Sequence, residues 1–305
     1  MKRKMTGSQV NMISRPAGCA LNAFFILWSA VCILPLLLVA SISLSSEMSI
    51  LTTGYRMLPT EFSIHAYEYL WKQGTMLGKA FGVSVYATVC GTIASVTVTT
   101  LFAYPLSRKY FRFRNFFAFI TFFTMIFNGG TVANYIVKTQ VMGLKDNYLA
   151  YIVPHLMSAW NVILLRTFIT SSVPDDLTEA AKIDGASEWT TFTKIVIPLS
   201  KPGIATIALF NAINIWNDWY TPSLFIKDKS MYNLQQLTNS LLADVTFLKN
   251  NMGLLGGNMA EVIADMPTEG IRMAVCTVTI LPIVVAYPFF QKYFVKGLTI
   301  GAVKG

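Results

Sequence analysis

The stretch that decides the fold is Glu179-Ala180-Ala181-Lys182-Ile183-Asp184-Gly185, continued by Ala186 to Lys194 and closed by Ile195-Val196-Ile197-Pro198. It belongs to an amphipathic, charge-bearing island, residues 174–202, set between two strongly apolar blocks. The island reads as two short helices meeting at a glycine. Pro174 suits the first helical position, where its fixed φ fits and its missing N–H forfeits no bond. Asp175 and Asp176 favour the positive end of the same helix dipole. Gly185 reaches the left-handed backbone region that ends the first helix. Ser187 offers an oxygen to cap the second, whose Trp189, Phe192 and Ile195 or Val196 recur at helical spacing. Pro198 and Pro202 close it.

The composition around this island is that of a membrane protein. The chain has 305 residues, of which 54% are hydrophobic and 13% charged, far more apolar and less charged than ordinary soluble domains. The apolar residues are gathered into long blocks, as bilayer-spanning helices require. The blocks predict an all-α integral membrane protein with six transmembrane helices, near 21–44, 78–106, 116–137, 148–170, 203–226 and 273–294. The island 174–202 lies between the fourth and fifth, and a long polar segment, 227–270, between the fifth and sixth. The first block follows Lys2, Arg3, Lys4 and Arg15 and is too long for a signal-peptide core, so it reads as a retained anchor. The second is rich in Gly82, Ser84, Ala87, Gly91, Ala94 and Ser95, small residues that let membrane helices approach closely. The third is interrupted by Asn128-Gly129-Gly130, and its helix is expected to continue through Ala133 and Ile136 with a polar outer half, regular or irregular, the latter tolerable only inside protein or beside water.

The net charge of +9 is distributed as a topology signal and gives no nucleic-acid patch. With the N-terminus inside, fourteen Lys and Arg fall on the cytoplasmic side against nine outside, Arg166 left aside. The acid-free turn Arg108, Lys109, Arg112, Arg114 carries much of the bias. Both termini and the island 174–202 are then cytoplasmic, and 227–270 is extracellular. Within 227–270, Leu234, Leu237, Leu241, Val245 and Leu248 mark one face of an amphipathic helix. That face either covers the chain's own mouth or meets an external protein.

Catalytic chemistry finds no support. Gly74-Thr75-Met76-Leu77-Gly78-Lys79 has one residue too few between its glycines for a phosphate-binding loop and lacks the following Ser or Thr. Cys19, Cys32, Cys90 and Cys276 are scattered in or near apolar blocks, and His65 and His155 stand far apart, so no metal or redox spacing arises. The chain is therefore expected to be no enzyme, to bind no cofactor or metal, and to draw its power from another chain.

The informative polar residues lie in the fifth block: Asn211, Asn214, Trp216, Asn217, Asp218 and Trp219. Polar groups at membrane depth are costly and face a cavity or a partner helix. Amides and a carboxylate beside tryptophans suit a sugar, whose hydroxyls need hydrogen bonds and whose ring faces stack on aromatic rings. The other role open to them is interhelical glue with a tryptophan belt at the interface. Trp160 and Asn161 in the fourth block, and Asn128 in the third, are further candidates of the same kind.

The island resembles the EAA coupling motif of permease subunits of ATP-binding-cassette (ABC) importers: Glu-Ala-Ala, three residues, Gly, nine residues, Ile, any residue, Leu, Pro. Every spacing is met, with Ile197 in place of Leu. The last nine residues, Gly297 to Gly305, look like the C-terminal tail of the smaller permease of maltose-type importers, although physically they form a short flexible tail with one cation. The resemblance covers nearly the whole chain and is nearest to the branch serving complex oligosaccharides in Gram-positive bacteria. It implies the type I importer permease fold and a multi-pass place in the cell membrane. It also implies that Glu179, Ala180, Ala181, Asp184, Gly185, Ile195 and Pro198 couple to an ATPase. The partners it implies are a second, related permease in a heterodimer, two ATPase subunits that hydrolyse ATP with Mg, and an extracellular lipid-anchored solute-binding protein. The cargo it implies is an oligosaccharide, with an amino acid or polyamine as the alternative. From the residues alone, a stand-alone secondary transporter or a membrane-embedded enzyme also stay open. The first would show inverted repeats or buried ionisable residues, the second a metal or nucleophile cluster.

Overall fold

A computed structural model describes residues 15–72, 74–250 and 268–302, and these are helical or irregular apart from one isolated bridge between Ser45 and Phe62. The chain divides into two compact units.

The first unit holds residues up to Tyr69 together with 264–277. Its main helix, α1 (Arg15–Ser43), contains a 28-residue apolar run, Pro16–Ser43. At 1.5 Å per residue that length exceeds the ~30 Å hydrocarbon core of a bilayer. The side chains from Phe24 to Leu37 are largely bare, which suits a helix solvated by lipid. Helix α2 (Glu47–Thr53) is capped by Ser46, whose Oγ accepts the Ser49 N–H at 3.2 Å. The Glu47 carboxylate in turn accepts the N–H groups of Glu269 and Gly270, each at 3.1 Å, at the start of α14 (Thr268–Ala302). Helix α3 (His65–Lys72) follows.

The second unit, residues 70–263 and 278–305, is built on α4 (Gly74–Ser107). Ala80, Ser84, Ala87, Gly91, Ser95, Thr99 and Ala103 recur at three- and four-residue steps and are all buried. Of the small residues read from the sequence, Ser84, Ala87, Gly91 and Ser95 lie on this face, which brings neighbouring helices close, whereas Gly82 is exposed and Ala94 half-buried. A Cβ on Gly91 would stand 2.9 Å from Cδ1 of Ile215 on α11 (Lys201–Trp216). One on Gly203 of α11 would stand 2.6 Å from the Phe168 ring of α7 (Ala159–Ser172). Ala103, Leu106, Val162, Leu165, Ile169, Val173, Phe192, Val196 and Ile207 form a buried cluster where α4, α7 and α11 meet the island.

Two apolar runs are continuous helices long enough to cross a membrane, Pro16–Ser43 and Gly74–Ser107; three more are bent pairs, giving up to five spans among the described residues. The sharpest bend, 115°, separates α5 (Arg114–Ile126) from α6 (Gly130–Ile136) with its π turn Val137–Val141. The expected continuous helix is thus broken. Gly130 takes a φ of +81°, and the Asn128 side-chain oxygen accepts its N–H at 3.0 Å, giving the chain a local turn in place of the helical ladder. The fourth block opens as 3₁₀ turns, Tyr148–Tyr151 and Val153–His155 around Pro154, and bends by 50° into α7. The fifth stops at Trp216 and resumes as α12 (Tyr220–Phe225) after Asn217-Asp218-Trp219.

The long polar segment forms α13 (Leu234–Asn250). Leu234 and Leu237 are buried, and the Leu234 N–H reaches Ser84 Oγ of α4 at 2.8 Å. The near half of the amphipathic face thus covers the chain's own surface, while the side chains of Val245 and Leu248 lie outside the described residues. The sixth block is carried by α14, which stays helical through Ala302. The residues expected to form a flexible tail from Gly297 therefore extend the helix, and 303–305 lie outside the described residues, as do Lys2, Arg3 and Lys4.

Candidate functional site

The island folds as α8 (Asp175–Ile183) and α9 (Glu188–Thr191), and the second runs on through a π turn, Phe192–Val196, into α10 (Ile197–Leu199). Pro174 sits one position earlier than expected, as the extended residue before the first turn, with ψ 144°. Gly185 has φ +80°, the Gly185 N–H donates to Lys182 O at 3.1 Å, and the Ala186 N–H donates to Ala181 O at 2.9 Å. This pair of bonds is the Schellman closure, which satisfies the carbonyls a helix leaves open at its end. Ser187 Oγ accepts the Thr190 N–H at 3.2 Å and caps α9. Pro198 does not end the helix as expected. The widened turn before it, with Ile197 N–H on Phe192 O, absorbs the bond that proline cannot make. The 77° bend falls two residues later, at Ser200 before Pro202.

This geometry gives α8 an outward edge. Leu177 and Ile183 are 46% and 86% exposed, with Glu179, Ala180 and Asp184 exposed beside them. Trp189 on α9 is 64% exposed. Ile195 turns inward and packs on the buried cluster of α4, α7 and α11. The site thus has an exposed outer surface and an inner surface fixed to the membrane helices.

The fixing contacts were not legible as such in the sequence. Arg108, 1% exposed, lies 3.7 Å from Asp175, and Lys109 Nζ lies 2.9 Å from the other Asp175 oxygen. The Lys109 hydrogen bond, outweighing partial burial, holds the Asp175 carboxyl below the usual carboxylate range. Tyr104 and Tyr110 both donate to the same Glu188 oxygen, at 2.9 and 2.8 Å. Burial first, then the Tyr104 and Glu188 hydrogen bonds, push the Tyr110 hydroxyl well above its ordinary range. The acid-free turn after α4 therefore anchors the acid-bearing helix starts of the island, besides any role in topology. The available signal was the acid-free run of cations, Arg108 and Lys109 among them, which Asp175 meets, whereas the two tyrosines that hold Glu188 carried no such mark.

The polar candidates of the membrane blocks divide into two sets. Asn211 accepts from Asn161 Nδ2 at 2.9 Å and donates to Ser95 Oγ at 3.0 Å, and all three residues are buried. Trp216 is 8% exposed, and its Nε1–H points at Thr279 O, 3.4 Å away. These residues have the interhelical role. Asp218 lies 2.9 Å from His155 Nε2 and accepts the Thr221 N–H at 2.9 Å, and its carbonyl accepts from Asn233 Nδ2 at 2.7 Å. Neither His155 nor Asn233 stood out in the sequence as its partner. Asn128, Trp160, Asn214, Asn217 and Trp219 remain exposed.

Residues 98–300 match the family described as binding-protein-dependent transport system inner membrane component. The chain belongs to this family. It is a membrane permease of the ABC-importer type and not an enzyme, and such permeases work with an ATPase and a solute-binding protein. The permease is 38% identical to Protein LplC of Bacillus subtilis over 276 residues, 90% of each chain. It is 36% identical to the polygalacturonan/rhamnogalacturonan transport system permease protein YtcP of the same organism over 282 residues, 92% of this chain and 96% of that one. Among solved structures, it matches a bacterial ABC transporter involved in the import of the acidic polysaccharide alginate. The TM-score is 0.77 at 26% identity, covering 93% of this chain and 99% of that one. The fold is accordingly that of type I ABC importer permeases.

Proposed function

We propose that the permease forms half of the translocation path of an ATP-driven importer for oligosaccharides. The observation that carries the coupling role is the island itself: a Schellman-closed helix presenting Leu177, Ala180, Ile183 and Asp184, with Trp189 beside them, between two membrane segments. Glu179, Ala180, Ala181, Asp184 and Gly185 form the face that docks on the ATPase, while Ile195 and Pro198 shape the return into the membrane. The positive-inside bias supports placing the island and both termini in the cytoplasm. A second, related permease completes the path as a heterodimer. Two ATPase subunits hydrolyse Mg-ATP, and an extracellular lipid-anchored protein delivers the sugar to the outer face. ATP binding closes the ATPase pair, draws the two coupling islands together and turns the cavity outward, a rigid-body rocking of the halves.

Oligosaccharide cargo is supported by the names of the relatives and by the exposed amide and indole groups. Asn128, Trp160, Asn214, Asn217 and Trp219 are the lining candidates, and Asn161, Asn211, Trp216 and Asp218 hold the helices that present them. The test is purification of the tagged permease from its own membrane, followed by mass spectrometry and uptake of labelled oligosaccharides by the intact cells. Recovery of an ABC ATPase and a second permease, with uptake lost on deletion, is the expected result. A monodisperse chain that purifies alone would overturn the reading.

A further inference from the structure

Two of the irregular points of the membrane helices lie beside one cavity. The break between α5 and α6 and the break before α12 border a space of about 160 Å³, lined by Asn128, Asn134, Tyr135, Lys138, Tyr220 and Thr221 among others. That is smaller than the ~300–1,000 Å³ of pockets that hold a whole small-molecule ligand, so it has room for one unit of a longer chain. Interrupted membrane helices are where transporters place their binding groups, because loosened backbone is tolerated only beside protein or water.

Lys138 sets the chemistry. Its Nζ lies 5.6 Å from the centroid of the Phe225 ring, which stacks on Tyr135 at 5.9 Å with an interplanar angle of 9°. Among the described residues, no carboxylate lies within ion-pair distance of it. Asp218, the acid of the adjoining break, is taken up by His155 and by the Thr221 N–H. The Asn128 oxygen is spent on the Gly130 N–H, which leaves its amide N–H₂ to donate. The cavity therefore offers an ammonium and an amide donor, with aromatic faces beside them and no carboxylate in its lining. A half-buried cation that makes no ion pair, and whose nearby carboxylate Asp218 is already bonded to His155 and to the Thr221 N–H, favours an anionic occupant. Aromatic faces with hydroxyl and amide groups favour a sugar ring.

We propose that this cavity recognises the carboxylate of an acidic sugar unit, so that the imported oligosaccharide is a uronate-containing one. The inference rests on the import reading above and names its substrate class. The shared chemistry, an anion beside an apolar ring surface, would also suit an anionic lipid headgroup.

The experiment uses the complete importer in nanodiscs, without its binding protein, and measures affinity for digalacturonate and for neutral galactobiose. The wild type is expected to prefer the acid, and Lys138→Met to lower that affinity about tenfold, the weight of one charge-assisted hydrogen bond, while Lys138→Arg keeps it. Asn128→Asp retains the oxygen that holds Gly130 but adds a negative charge, and is expected to reduce acid binding without lowering the melting temperature. No preference for the acid, or equal losses for both sugars, would overturn the proposal. So would acid binding that disappears when phosphatidylglycerol is added to neutral nanodiscs, because the site would then be a headgroup site. ATPase and second permease are counted in the same preparation. Their absence would count against the import reading, whereas their presence without acid preference counts against the cavity alone.

Discussion

Gly185 gives a sharp test of the coupling surface, because two separate costs of replacing it are readable from the structure. The first is conformational. With φ at +80°, any residue bearing a Cβ is strained by about 1–2 kcal/mol, and asparagine by less, since its short side chain tolerates the left-handed region. The second would be steric, and within the chain it is absent: no atom lies within 4 Å of a Cβ at this position. Gly185→Asn, Gly185→Ala and Gly185→Trp should therefore all insert and fold, with melting temperatures lowered by only a few degrees. Their transport should differ. The side chain points into open space on the exposed turn between α8 and α9, so asparagine leaves uptake largely intact and alanine reduces it modestly. Tryptophan occupies the space an ATPase groove must enter, and a docking loss of ~1.4 kcal/mol already lowers occupancy about tenfold. The assay pairs uptake of labelled oligosaccharide in cells with the amount of ATPase retained on the purified permease. Normal uptake by a well-expressed Gly185→Trp permease would refute the docking assignment. Equal losses for asparagine and tryptophan would show that the backbone turn, and not the open face, is what matters.

Four further outcomes follow from named contacts. Gly203→Ala should lower stability by about 1–3 kcal/mol, because its Cβ meets the Phe168 ring at 2.6 Å, and Phe168→Ala in the same chain should restore part of the loss in a thermal melt. Asn211→Leu strands the Asn161 amide and the Ser95 hydroxyl and should cost about 1–2 kcal/mol, whereas Asn161→Leu and Asn211→Leu together should cost less than the sum, a difference that a double-mutant cycle of melting curves reads. The Asp175 carboxyl has a depressed pKa when folded, so its stabilising effect is present above the ordinary carboxylate value and lost as pH falls through the folded one. The stability gap between wild type and Asp175→Asn should thus be flat from about pH 5 to 8, begin to shrink as pH falls below about 4, and vanish only below the depressed folded value. Tyr104→Phe with Tyr110→Phe removes both donors to Glu188, and should leave ATP hydrolysis running while uptake per ATP falls; an unchanged transport-to-hydrolysis ratio would rule out a positioning role.

The island was legible because its signals are local. Pro174, Gly185 and Ser187 each act within one turn of chain, and the structure places each at the end or start of a helix, with Pro174 displaced by a single residue. The small-residue face of α4 was legible for the same reason, since helical periodicity fixes which residues share a side. The third block was legible only in part: its irregular outer half was open from the sequence, but the direction of the break was not, because hydropathy measures transfer to lipid and is blind to direction. Asn128, Gly129 and Gly130 lower the hydropathy only slightly, yet an Asn side chain on the Gly130 N–H and one positive φ suffice to turn the chain by 115°. Asn161, Asn211 and Asp218 stood out as costly polar groups, but whether such a group faces water or another helix depends on Ser95 and His155, which lie 116 and 63 residues away along the chain. Arg108 looked like a topology signal, and its burial follows from Asp175 arriving beside it, a tertiary event without a local mark.

On the proposed topology, these contacts carry a movement of the island toward the far half of the permease. Helix α4 is fastened at its inner end to the island through Tyr104, Arg108 and Lys109. At its middle, Ser95 holds Asn211 of α11 and through it Asn161 of α7, and Gly91 lets Ile215 come within ordinary contact. Toward its start, Ser84 receives the first N–H of α13. A long continuous helix held by short, directional bonds at three levels tilts more readily than it bends, because bending would strain all of them at once. The irregular points, at Asn128–Gly130 and Asn217–Trp219, lie off this helix; Asn128 and Gly130 line the cavity containing Lys138, as do Tyr220 and Thr221 just after the second. Stiffness is thus concentrated along the line from the island outward, and the irregular points are placed beside the proposed ligand cavity. A substitution that loosens α4 from the island and one that fills the cavity should consequently fail differently: the first by wasting ATP, the second by changing which sugar is carried.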